Sequence, residues 1–167
     1  RGRAYVTGAR RRKAQDLAIG DRKEWMVDDL QLRTVEDKRA LYHRKLSPES
    51  GKTEEAKSFV EDFNEDGSHD WRDLTVLSDP IYLVEDADGD GTADRFQPYA
   101  TDLKTEITGS MAGVLFHDGD VYVTASPDLM KFRDTDGDEV ADQRESIAHG
   151  FGGHIANAGH YKHGLKV

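Results

Sequence analysis

Two nine-residue stretches of this chain are nearly identical: DADGDGTAD at 86–94 and DTDGDEVAD at 134–142. Each puts Asp at positions one, three, five and nine, with Gly at four and Ala at eight, and their starts lie 48 residues apart. Four carboxylates so close together repel one another, so the stretch needs either a cation among them or an open, solvated turn. A loop that recurs at a fixed interval of this size marks a recurring supersecondary unit, and few folds have one.

The residues around the second copy show what the unit is. AGVLF, the turn HDGD and VYVTA form a strong hairpin signal, with Asp-Gly between two apolar runs. SPD at 126–128 makes the next turn into LMKFR at 129–133, and the Asp-rich loop leads to a more polar strand near 142–148. Four short antiparallel strands in succession are one blade of a β-propeller, and 48 residues is one blade length. The first copy repeats the plan with IYLVE at 81–85 and DRFQPYA at 94–100, which predicts strands near 80–85 and 94–99.

GRAYVT at 2–7 reads as the second strand of that earlier blade, but the third does not arrive until about residue 80. Between them Thr34 and Asp37 predict an N-cap for a helix near 35–45. Thr53 caps another, with Ala56, Phe59, Val60 and Phe63 on one face. FNEDGSHD at 63–70 reads as a loop. Residues 8–72 are therefore expected to be a partly helical insertion within the first blade, and HGLKV to begin a third blade. The expected fold is all-β: a partial β-propeller of about two four-stranded antiparallel blades. Residues 1–167 would be the N-terminal part of a propeller domain truncated at both ends.

The aspartates point to calcium. Hard divalent cations take several oxygen ligands, and alternate residues of a tight loop can turn carboxylates inward where Gly permits the bend. The expected ligands are Asp86, Asp88, Asp90 and Asp94 in one loop, and Asp134, Asp136, Asp138 and Asp142 in the other. An EF-hand fits poorly. Its Gly at position six is met by Gly91 but not Glu139, its Glu at twelve by Glu145 but not Gln97, and the flanks are strands. A plain Asp/Gly turn without an ion is the competing reading. Both loops follow third strands, so they share one face of the propeller.

HGFGGHIANAGHYKHG at 149–164 follows a fourth strand and so belongs to the opposite face, near the central channel. It holds four of the seven histidines and five glycines. Gly-rich backbone admits a close ligand and imidazole can act as a base near neutral pH. A polar loop with ordinary hydrogen bonds explains the composition equally well. Zinc is disfavoured, because HExxH and cysteine are both absent. The insertion, replacing a second-to-third-strand loop, should pack on this same face and bring Arg10, Arg11, Arg12 and Lys13 to a pocket rim.

Charge and composition exclude other classes. Residues 1–45 hold 13 Lys/Arg against 7 Asp/Glu, and the rest 10 against 26. The basic head is interrupted by acidic residues at 16–37, which favours a solvated face over a nucleic-acid surface. With no cysteine there is no disulfide and no covalently attached haem in these residues. No apolar run approaches membrane-spanning length. The chain opens at Arg1 and stops within an apolar run, as a piece of something longer would.

Four segments carry a resemblance: RAYVTGARRRKAQDL, DDLQLRTVEDKRALYHRKL, MAGVLFHDGDVYVTASPDLMKFRDTDGDEVAD and GFGGHIANAGHYKHGLKV. Together they resemble the membrane-bound dehydrogenase family abundant in planctomycetes, which is built on a six-bladed propeller like that of glucose/sorbosone dehydrogenases. The resemblance implies an exported, periplasmic or cell-surface protein, with a cytochrome c domain further along in many members. It also implies a quinoprotein that oxidises a sugar or alcohol with pyrroloquinoline quinone (PQQ). On that footing His160 is the catalytic base, with His163 as its rival, and His154, His163 and Gly159 line the cofactor pocket. The alternative is a non-catalytic, calcium-stabilised propeller that binds carbohydrate or a protein partner.

Overall fold

The structure is a computed structural model, which describes residues 2–11, 23–155 and 164–166. Four strands run in meander order: β4 (Gly113–His117), β5 (Asp120–Ala125), β6 (Asp128–Arg133) and β7 (Gln143–His149), each antiparallel to the next. The β4–β5 hairpin turns on Asp118 and Gly119, both at positive φ (49° and 85°). That is the two-residue turn whose twist matches the flanking strands. A second sheet has the order β1 (Arg3–Thr7), β2 (Ile81–Glu85), β3 (Arg95–Ala100), again antiparallel throughout. The fold is thus all-β, a partial propeller of two successive blades, the first represented by three strands.

Alternation buries one face of each sheet against the other. Ile81 and Leu83 of β2, Val121, Val123 and Ala125 of β5, and Met130 and Phe132 of β6 all point into the interface. Successive strand residues face opposite ways, so this period-two pattern needs only the sequence. Fully burying each large apolar side chain contributes roughly 1.5–3 kcal/mol. Tyr5 and Tyr99 meet edge-to-face inside the same core, ring centroids 4.9 Å apart.

The chain leaves the first sheet after Thr7 and rejoins it at Ile81, and Gly8 N–H donating to Pro80 O (2.8 Å) closes the base of this excursion. The excursion contains α1 (Met26–Gln31), α2 (Val35–Lys45) and α3 (Glu54–Phe59). Helix α2 starts at a capping box. Thr34 Oγ1 accepts from Asp37 N (3.1 Å) and Asp37 Oδ2 accepts from Thr34 N (2.9 Å), satisfying two end donors at once. Thr53 caps α3 with a single bond, its hydroxyl accepting from Ala56 N (3.2 Å). Helix α1 has no side-chain cap and was not anticipated.

These helices enclose a second core of Trp25, Leu32, Val35, Leu41, Tyr42, Leu46, Val60 and Leu74. Two residues from outside the excursion complete it: Ile107, from the link between the blades, and Ile155, from beyond β7. The helices are therefore fastened to the end of the second blade. Among the described residues no helix is long and apolar enough to cross a membrane.

Candidate functional site

The two Asp loops share one backbone design. In the first, Asp86 accepts from Gly89 N (2.7 Å) and Gly91 N (3.0 Å), Asp88 from Asp90 N (3.1 Å), and Asp90 from Thr92 N (2.7 Å). In the second, Asp134 accepts from Gly137 N (2.7 Å) and Glu139 N (2.9 Å), Asp136 from Asp138 N (3.2 Å), and Asp138 from Val140 N (2.8 Å). Positions four and six have positive φ in both: Gly89 and Gly91, then Gly137 and Glu139. This is where Gly costs least, and Glu139 adopts φ 69° without it. The N–H of Gly137, joined by that of Glu139, holds the Asp134 carboxyl below its ordinary range.

Three carboxylates converge in each loop, not four. Oxygens of Asp86, Asp88 and Asp94 lie within 4.8 Å of one another, as do those of Asp134, Asp136 and Asp138. Asp90 and Asp142 stand outside these groups. Asp90 turns to Thr92 N, and Asp142 bonds the Thr135 hydroxyl (2.5 Å) and backbone N–H. Three hard oxygen donors on one point match the donor chemistry of a calcium site, to which backbone carbonyls and water contribute the rest.

Arginines lie beside the loops but pair elsewhere. Arg3 bonds Glu85 (2.7 Å) and Glu139 (2.6 Å), and Arg95 also pairs with Glu139. Glu139 thus reaches from the second loop to the residues flanking the first and ties the two together. Among the described residues no basic side chain pairs with the loop aspartates themselves.

A third copy of the design lies in the helical excursion, and it escaped the reading of the sequence. Residues 62–70, DFNEDGSHD, put Asp62, Asn64, Asp66 and Asp70 at positions one, three, five and nine. Glu65 and Gly67, at four and six, again have positive φ (58° and 81°). Asp62 accepts from Gly67 N (2.9 Å), Asn64 from Asp66 N (3.0 Å), and Asp66 from Ser68 N (2.9 Å). The spacing was the available signal. It was obscured by Asn at position three and by flanks that are not strands.

This copy supplies its own cation. The Arg72 guanidinium bonds Asp66 (2.8 Å) and Asp70 (2.6 Å). Burial raises the Asp70 carboxyl, but the Arg72 bonds outweigh it and hold the group below its ordinary value. Burial pushes Asp73 up despite the backbone N–H groups it accepts from Phe63, Asn64 and Asp70.

On the opposite face, α1 and α2 dock against residues 149–155. Lys38 Nζ donates to Gly152 O (3.4 Å), Ile155 N to Asp29 Oδ1 (2.7 Å), and His154 Nδ1 lies 2.9 Å from Asp29 O. His149 bridges Asp128 (2.8 Å) and Glu36 (3.5 Å). The Asp128 bond, with Glu36 beyond it, raises its pKa. Gly159, His160 and His163 lie outside the described residues, as do Arg12 and Lys13.

Arg11 is not at a rim. It is fully buried, with Nη1 on Leu77 O (2.7 Å), Nη2 on Thr105 O (2.7 Å) and Nε on Thr108 O (3.2 Å). The planar fork meets three backbone carbonyls where the excursion rejoins the blades, and these charge-assisted bonds offset the cost of burying the charge. Arg10 does stay at the surface, with Nη2 3.3 Å from the Tyr82 hydroxyl.

No curated protein and no solved structure matches the chain. Residues 55–167, more than half of it, match the family described as Domain of unknown function (DUF7133), and the chain belongs to that family.

Proposed function

We propose that the chain is part of a calcium-braced dehydrogenase propeller that oxidises a sugar or alcohol, within an exported, periplasmic or cell-surface protein. The observation that carries this reading is the division of its two faces. One holds two triads of carboxylates with no basic partner among the described residues, suited to a hard divalent cation and a bracing role. The other holds residues 149–155, the described start of the histidine segment, docked on helices the blades do not require.

PQQ, when bound, supplies the acceptor for the substrate's hydride. Of the residues that would line its pocket, His154 is the described one. Its ring is 60% exposed, and among the described residues its Nε2 has no hydrogen-bond partner. An exposed ring nitrogen without a partner is open to such a ligand. His160 would take the hydroxyl proton as general base.

The test is the full-length protein reconstituted with PQQ and calcium, assayed for dye reduction across sugars and alcohols, with calcium titrated by calorimetry. Turnover with two calcium-binding events is the expected result. Calcium binding without turnover on any substrate would favour the non-catalytic propeller that binds carbohydrate or a protein partner. Absence of calcium binding would leave both loops as plain turns.

A further inference from the structure

We propose that the cleft between the two sheets at their outer strands is a binding site for a neutral sugar unit of a glycan, separate from the histidine segment. The sheets are stitched together where Ala141 N donates to Tyr99 O (2.8 Å). Beside that bond they part, leaving a cleft of about 360 Å³ between residues 98–102 and 140–144. Its floor is Tyr99 and Phe132, 2% and 1% exposed. Tyr5 meets the Tyr99 ring edge-to-face from the core side, so the floor is formed before any ligand arrives. The volume is at the small end of the range for small-molecule sites, about 300–1,000 Å³, and suits one or two sugar rings.

The lining selects the ligand. Asp102, just after β3, and Arg144, on β7, form an ion pair that spans the two sheets. The remaining carboxylate, Asp142, is taken up by the Thr135 hydroxyl (2.5 Å) and N–H (3.2 Å). An anion therefore finds no free cation here, and a neutral ligand leaves both arrangements in place. Two polar groups are uncommitted: among the described residues neither the Thr101 hydroxyl nor the Gln143 carboxamide has a hydrogen-bond partner. A carboxamide offers donors and an acceptor, and a hydroxyl offers both, which matches adjacent hydroxyls on a ring. Pro98 and Val140, both exposed, put apolar surface beside them. A sugar has the same division, with hydroxyls at its edge and C–H groups on its face.

Strand β7 separates the cleft from the histidine segment. Gln143 and His149 are its two ends, roughly 20 Å apart at about 3.3 Å per residue. A ring held here lies out of reach of the proposed base, so the site anchors a glycan rather than presenting the reacting hydroxyl. The inference stands whether or not the chain oxidises a sugar.

The experiment titrates the full-length protein with cellobiose, maltose and xylobiose, followed by saturation-transfer NMR. PQQ and electron acceptor are left out so that no sugar is consumed. Saturable binding of at least one of these neutral disaccharides is expected. Gln143→Ala and Thr101→Ala, surface substitutions that should leave the urea midpoint in place, should each weaken it roughly 3–10-fold, the loss of one hydrogen bond. Thr101→Trp, which fills the mouth, should abolish it, and His160→Ala should leave it unchanged. No binding of any of the three sugars overturns the proposal. So does tighter binding of a glucuronate- or glucosamine-containing disaccharide, because the lining then favours charge. Binding lost in His160→Ala but kept in Thr101→Trp would move the sugar to the histidine face and also overturn it. Binding at the cleft without turnover in the reconstituted enzyme sinks the dehydrogenase reading and leaves this one standing.

Discussion

Replacing Arg11 by Leu tests whether the buried guanidinium holds the helical excursion to the blades. The backbone bond from Arg11 N to Asp79 Oδ1 (2.7 Å) survives any side chain, so the substitution isolates the guanidinium. Leu has comparable apolar bulk but no donor, so it removes the guanidinium bonds to the carbonyls of Leu77, Thr105 and Thr108, while Thr105 O keeps its bond from Thr108 N (3.1 Å). Each buried acceptor left without a partner costs about 1–3 kcal/mol, less where water enters. The sum over the bonds lost, reduced for hydration and for the donor Thr105 O keeps, is a loss of about 2–4 kcal/mol. That is a large part of an ordinary domain's stability of roughly 5–15 kcal/mol. Arg11→Lys should lose less, because an ammonium keeps the charge but cannot span all three acceptors. Arg10→Ala, at the exposed neighbour, should stay within about 0.5 kcal/mol of wild type. Urea unfolding reads the result as a fall in midpoint at constant m. A loss below about 1 kcal/mol in Arg11→Leu would mean that the carbonyls find water easily and that the latch is not structural.

Two further predictions concern local contacts. Thr34→Ala removes the hydroxyl half of the α2 capping box and should destabilise the protein by about 1 kcal/mol, with Thr34→Ser restoring most of it; an unchanged unfolding midpoint would discount the cap. His149 has its pKa raised in the folded state, chiefly by the Asp128 bond, so its contribution is fully present below the unfolded value of about 6.5 and is lost as pH rises through the folded value. Thermal unfolding of wild type should weaken across that rise in pH while His149→Gln shows no such step, and identical profiles would dismiss the Asp128 bond as a stabilising contact.

The blades were legible because their signals are local. Alternation of apolar residues, Asp118-Gly119 in a two-residue turn and Asp/Gly spacing in the long loops each specify backbone within a few residues. The strands from β2 to β7 accordingly fall within a residue or so of their expected positions. The same holds for α2, whose capping box lies wholly within Thr34–Asp37. Locality also limits what can be read within the loops. The sequence shows which residues carry carboxylates, but Asp90 and Asp142 turn towards backbone and hydroxyl donors, and only the folded loop decides that competition. Helix α1, six residues long and without a side-chain cap, leaves no comparable trace.

What tertiary structure alone decided are the pairings between distant parts of the chain. Nothing near Arg11 says that it will be buried, because its acceptors lie 66 to 97 residues away. Nothing near His154 names Asp29, 125 residues earlier, as its hydrogen-bond partner. A side chain's chemistry is written in its residue type. Its partner, and with it its direction, exists only once the helical core has brought Ile155 and α1 together.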